Sequence, residues 1–197
     1  MINLYLIRHG ETDFNKSGVF FGNMDVGLNH IGKKQSKELE TVMDNIELDI
    51  IISSPLKRCI ETVQGIASRK GLLINIVDEL REMNFGLWEG CYYDDVARLY
   101  PDEWKMGMED WRDMHPTEGE CFRDFYSRVS NALKTIIESY DGKKVALITH
   151  GGCMRVIVSD LLGLKEKGFW NFYFEHGKYS LLEIAEGHCT IRKINCL

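Results

Sequence analysis

The strongest constraint on this chain is a series of short, almost wholly apolar segments, each followed by a polar or glycine-bearing turn and then by a stretch of helical periodicity. Residues 4–7, 49–53, 73–77 and 144–149 read as strands of this kind. A segment that is apolar at consecutive positions has both faces buried, as a parallel strand covered by helices on each side requires. Between them, Asn29 suits the N-cap of a helix over about 30–45, with Leu39, Val42 and Met43 on one face. Pro55 suits the first turn of a helix running to Gly71. A third helix is expected over 121–139, stopped by Asp141-Gly142, and a fourth after Gly152, ended by Gly163. Residues 179–185 and 188–194 flank Glu186-Gly187 as a hairpin. The alternation predicts a three-layer α/β/α fold around a mostly parallel sheet.

Residues 91–119 break the alternation and are expected to form a helical insertion over one end of the sheet, as a lid. The 197 residues otherwise suit a single domain, 1–197, with no linker or repeat. With 24 basic against 30 acidic residues the net charge is −6, which argues against nucleic acid as a partner. No apolar stretch approaches a membrane span. The six cysteines lack C-x-x-C spacing, and no signal of an oxidising compartment accompanies them, so reduced thiols in the cytoplasm are expected.

In an open α/β sheet, ligands gather beyond the carboxyl ends of the strands. Three such ends here carry Arg8-His9-Gly10, Ser53 to Arg58, and His150-Gly151-Gly152, and Glu82 follows a fourth. One histidine at a strand end is ordinarily structural; two histidines and two arginines on one edge are a candidate site. Arg8 and Arg58 can hold a phosphoryl group bidentately. They also favour a neutral His9, whose imidazole can attack phosphorus. His150 can donate a hydrogen bond to the charge that builds on the equatorial oxygens. Glu82 can protonate the departing alcohol oxygen and then take a proton from water. With arginines as countercharge, this scheme calls for no metal and no cofactor.

RHGETDFN (8–15) resembles the signature of the histidine phosphatase superfamily, in the branch that contains the cofactor-dependent phosphoglycerate mutases. The likeness continues through GNMDVGLNHIGKKQS (22–36), SSPLKRCIETV (53–63), LREMNFGLWEG (80–90) and ITHGG (148–152). It implies a phosphoglycerate mutase-like fold, His9 as nucleophile, Arg8 and Arg58 as phosphate clamps, His150 as second imidazole and Glu82 as proton donor. It also carries Asn15 and Gly151 into the phosphate pocket. Gly27-Leu28-Asn29, Cys59 and Thr149 depart from the usual pattern at positions without a catalytic role. Residues 110–129 and the tail 169–195 are similar to alpha-ribazole phosphatases of cobalamin synthesis. The resemblance therefore implies a small phosphomonoester substrate, alpha-ribazole 5′-phosphate or the late cobamide phosphate.

Three other readings stand beside this one: a broad-specificity sugar or small-molecule phosphatase, a phosphoglycerate mutase, and a non-catalytic module that binds phospho-ligands. Within 91–119, three basic residues face eight acidic ones, a poor cage for a bisphosphate. That balance points to one phosphate on an otherwise largely uncharged body. Phe85 and Trp88 are expected in the core. Tyr92, Tyr93, Trp104, Met106, Met108 and Trp111 fit either an aromatic wall for a flat ring or the packing of the insertion. His30, His115, His176 and His188 lack metal-ligand spacing and default to the surface. Glu118 and Glu120 fit the acidic start of a helix. No cysteine is followed by arginine at the Cys-x5-Arg spacing of cysteine phosphatases. Homo-oligomerisation leaves no signature in the sequence.

Overall fold

Side chains along β4 (Lys144–Thr149) alternate between two cores, Val145 and Leu147 to one side and Ala146 and Ile148 to the other. Strand pleating alone produces this division, and it makes the sheet the middle of three layers. The computed structural model describes residues 1–197. The other strands are β1 (Ile2–Arg8), β2 (Ile50–Ser53), β3 (Ile74–Ile76), β5 (Tyr179–Ala185) and β6 (His188–Cys196). Their order is β3-β2-β4-β1-β5-β6, with β1 to β4 parallel and the β5–β6 hairpin antiparallel at one edge.

Helices α1 (His30–Met43) and α2 (Lys57–Lys70) cover one face through Leu39, Met43, Val63 and Ile66. Asn29 caps α1 as expected, accepting from the Gly32 amide at 2.9 Å. Pro55 precedes α2 rather than opening it, because Leu56 is still extended (φ −66°, ψ 135°) and serves as its N-cap. Gly71 ends α2 in the left-handed conformation (φ 64°), where a side chain would be strained.

The insertion contains two short helices, α3 (Tyr93–Leu99) and α4 (Pro101–Glu109), and a 3-10 turn at Trp111–Asp113. A bridge from Val19 to Tyr92 ties it to the loop after β1, and a second, from Phe20 to Glu89, holds the segment just before it. On the second face lie α5 (Phe122–Ser139) and α6 (Gly151–Leu161), which bury Phe125, Val129, Leu133, Val156 and Ile157 in the larger core. Two expected strands shift at their ends: β3 is shorter, leaving Leu73 in solvent, and β6 runs on to Cys196. No helix is long and apolar enough to cross a membrane.

Candidate active site

Parallel pairing fixes the site. Arg8 pairs with Thr149, so the residues that leave β1 and β4 emerge side by side, and the His9 and His150 rings stand 5.1 Å apart. The His9 Nδ1 lies 2.7 Å from the Gly10 carbonyl. A carbonyl only accepts, so Nδ1 carries the proton and Nε2 keeps its lone pair. His9 is 3% exposed and lines a cavity of about 470 Å³. Burial first, then Arg58 and Arg8, hold its pKa well below the ordinary histidine value. The imidazole is therefore neutral, with its Nε2 lone pair free.

Arg58, delivered by the first turn of α2, is 1% exposed. Its Nη1 and Nη2 donate to the Met24 and Gly22 carbonyls at 2.8 and 2.6 Å, and its Nε to His150 Nδ1 at 3.2 Å. Arginine can only donate, so His150 carries its proton on Nε2, which gives it to Ser54 Oγ at 2.8 Å. Both nitrogens of His150 are engaged, and the ring lies behind His9 rather than on the cavity wall. The expected donation from His150 to a ligand is thus absent from this geometry. Gly151 is likewise off the wall; a Cβ there would come within 3.2 Å of the Arg8 guanidinium, so its bareness makes room for that group.

Arg8 donates from Nη1 to the Phe174 carbonyl at 2.5 Å, while its buried Nε has no partner. Burial lowers its pKa to about 10, so it stays charged at neutral pH. Asn15 lines the cavity, its Oδ1 taken by the Thr12 amide and hydroxyl at 2.7 and 3.0 Å. Glu82 faces them, accepting from the Gly152 amide in the first turn of α6 at 2.8 Å. A Cβ on Gly152 would fall 2.3 Å from Glu82 Oε1, so only glycine allows this approach. The loop carrying Glu82 is held by Arg128, which donates to the Glu79 and Arg81 carbonyls and pairs with Glu120 at 2.7 Å. Glu120 therefore anchors a loop, in place of the helix-start role expected of it.

Two residues at the site escaped sequence reasoning. Arg155 lines the cavity one turn beyond Gly152, its guanidinium 4.6 Å above the Trp170 ring. Helical spacing from His150-Gly151-Gly152 was the available signal. His176 is turned inward, with its ring 5.3 Å from that of His9 and its Nε2 buried without a partner. Burial, then Arg8, pulls its pKa to about 3. It sits in an irregular segment with no periodicity to reveal it.

The outer cavity is aromatic. Phe20, Tyr93, Trp104, Met108, Trp111 and Trp170 line it, whereas Tyr92 and Met106 are exposed elsewhere. Phe85 and Trp88 also reach the wall, although Trp88 is 1% exposed and packed as a core residue. None of the eight acids of 91–119 lines this chamber. Glu103 accepts from Trp88 Nε1 at 3.0 Å, Asp113 pairs with Arg123 and Asp95 with Arg98. The acidic balance of the insertion is an outer surface, and the interior charges are Arg8, Arg58, Arg155 and Glu82. No carboxylate lies within 4.0 Å of any of the three guanidiniums.

Guanidiniums with no carboxylate in ion-pair contact, beside a neutral imidazole, are the equipment of a phosphate-handling enzyme. The chain belongs to the histidine phosphatase superfamily (branch 1), whose family model matches residues 4–197. It is 29% identical to the adenosylcobalamin/alpha-ribazole phosphatase of Escherichia coli over 98% of this chain and 96% of that protein. It is 32% identical to phosphoserine phosphatase 1 of Hydrogenobacter thermophilus, over 99% and 92% of the two. The crystal structure of a putative alpha-ribazole-5′-P phosphatase from Escherichia coli superposes with a TM-score of 0.94 at 29% identity, covering 98% of this chain and 96% of that one. The fold is that of the phosphoglycerate mutase-like α/β proteins, and the chain is an enzyme, a histidine-type phosphatase.

Proposed function

We propose that this enzyme hydrolyses phosphomonoesters through a phosphohistidine on His9, with alpha-ribazole 5′-phosphate, or the late cobamide phosphate, as substrate. The observation that carries the reading is the set of three cavity-lining guanidiniums with no carboxylate partner. Buried charge is costly unless paired, and a phosphoryl dianion supplies the pair. The unpartnered Arg8 Nε and the Arg58 guanidinium bind phosphoryl oxygens, with Asn15 beside them.

In the first half-reaction the His9 Nε2 lone pair forms a bond to phosphorus as the ester P–O bond breaks, and Glu82 gives its proton to the departing oxygen. In the second, water attacks phosphorus, Glu82 takes the water proton, and the P–N bond breaks to release phosphate and neutral His9. His150 serves from behind, its Nδ1 and the Gly22 and Met24 carbonyls fixing Arg58. Residues 91–119 act as the lid of a single domain spanning 1–197. Six free thiols support a reducing, cytoplasmic setting.

The aromatic chamber supports a flat, ring-bearing leaving group, and the alpha-ribazole phosphatases among the relatives agree with it. A second reading rests on Arg155: a guanidinium in the same cavity also suits a leaving group bearing a carboxylate, as phosphoserine does. The deciding experiment ranks kcat/KM for phosphate release from alpha-ribazole 5′-phosphate, phosphoserine and 3-phosphoglycerate, with His9→Ala run alongside. The ribazole ester is expected to lead by at least about tenfold, with all turnover lost in the variant. A lead by phosphoserine overturns the substrate, and turnover surviving in His9→Ala overturns the mechanism.

A further inference from the structure

Residues 172–177 cross the edge of the site between the 3-10 helix ending at Asn171 and β5. Phe172 is extended (φ −123°, ψ 142°), and along extended backbone successive peptide groups face opposite ways. The bonding follows that alternation. The Phe172 carbonyl accepts from Arg155 Nε at 3.1 Å, and the Phe174 carbonyl from Arg8 Nη1 at 2.5 Å. Between them, the Tyr173 carbonyl turns away from the site and accepts from Asn195 Nδ2 at 2.9 Å, and the Glu175 amide donates to Asn195 Oδ1 at 2.8 Å. One carboxamide thus bonds the carbonyl of 173 and the amide of 175. A residue in a parallel ladder makes the same two bonds to its neighbouring strand.

Asn195 is itself held in an unusual way. It lies near the end of β6 with φ 53°, a left-handed conformation that asparagine tolerates better than most residues. Its amide donates to Ser180 Oγ at 3.4 Å, and Ser180 is buried. The pairing of β5 with β6 is irregular on this stretch, so the Asn195 side chain takes up bonding that a regular ladder would not reach.

We propose that Asn195 is a positioning residue for phosphate capture: its side chain acts as a one-residue strand that holds 173–175 extended, so that the carbonyls of 172 and 174 aim the Arg155 and Arg8 guanidiniums into the cavity. This rests on the reading of Arg8 as a phosphate ligand. Gly177 adds to the clasp, its amide donating to the Arg8 and His9 carbonyls at 3.1 and 3.2 Å. The strap is thereby fixed to the backbone of the nucleophile's loop as well as to the arginine it orients.

Two substitutions separate the carboxamide from the backbone angle. Asn195→Ala loses the amide and strains the left-handed position; Asn195→Gly loses the amide and relaxes the position. Dissociation of inorganic phosphate, measured calorimetrically on the full chain well below its melting temperature, reports the clamp with no dependence on the physiological substrate. Both variants are expected to weaken phosphate by roughly tenfold, the scale of one misdirected charge-assisted bond, with a matching rise in KM for p-nitrophenyl phosphate and a smaller change in kcat. If Asn195→Ala does not fold, Asn195→Gly carries the comparison alone. Phosphate affinity within about twofold of wild type in the glycine variant overturns the proposal. Arg8→Ala serves as the reference. If it leaves phosphate binding unchanged, the reading of the clamp falls, and this inference falls with it.

Discussion

At the sheet end of the cavity, Arg8, His9 and Arg58 come from a strand end and a helix start, and Arg58 spends three donors on fixed protein acceptors. At the outer end, rings from the loop after β1, from α3 and α4, and from the 3-10 helix before β5 form a wall with Trp170 and Met108 largely in solvent. The first region is rigid because sheet register and buried hydrogen bonds leave its side chains no alternatives. The second is assembled from short elements that share mainly dispersion contacts, which conform to a shape without demanding one atom in one place. Phosphoryl chemistry belongs where positions are fixed, and discrimination among leaving groups where walls can be exchanged.

The contrast breaks first at Glu82, which stands where the two regions meet. Glu82→Gln is expected to lower kcat on an alkyl phosphate by about 10²–10³ and on p-nitrophenyl phosphate by less than about tenfold, since a good leaving group needs no proton. Equal losses in a steady-state comparison would remove its role as acid. A smaller effect should follow from Tyr93→Ala. Tyr93 is half exposed and sits edge-on to Phe20 at 4.7 Å. Its loss is expected to reduce kcat/KM for a ring-bearing ester by about three- to tenfold and to leave inhibition by inorganic phosphate unchanged. A shifted phosphate Ki would mean that the regions are coupled rather than separate.

The smallest effect concerns protons. His176 titrates near 3 in the fold, against about 6.5 when unfolded. Between those values the unfolded chain takes up a proton that the native state refuses, so stability falls as pH drops from 6.5 toward 3. His176→Gln should flatten this fall by at most about 1.4 kcal/mol per pH unit in urea denaturation between pH 6 and 4.5. Tyr93→Ala should leave the slope as it is, because the outer wall loses no titrating group buried in the fold.

The same two regions differ in how far they could be read from the sequence. Arg8, His9 and Arg58 are legible because they sit at a strand end or in the first turn of a helix, Glu82 because it lies in the loop after a recognisable strand, and strand ends converge by topology. The charge of residues 91–119 misleads: composition counts Glu103 and Asp113 as part of a pocket, while their bonds go to Trp88 and Arg123 and neither lines the chamber. Which rings face the chamber depends on how 91–119 packs, and Tyr92 and Tyr93, adjacent in sequence, end on different sides. The placements of His176 and Asn195 are not legible from pattern, since they come from contacts between segments far apart in sequence. The engagement of both His150 nitrogens follows from packing alone, because a motif specifies a residue and not its tautomer.

The register of β1 has a consequence for how the molecule comes into being. Asn3 lies beside Lys144 on one side and Glu183 on the other, so both neighbours of the first strand come from the last third of the chain. During synthesis Leu4, Leu6 and Ile7 have no sheet to join until most of the polypeptide has been made. Pairings so distant in sequence are slow to form and leave apolar edges exposed in the interim. The strand that leads into His9 is thus enclosed only late, and an interrupted chain lacks the partners that shape the sheet end of the cavity.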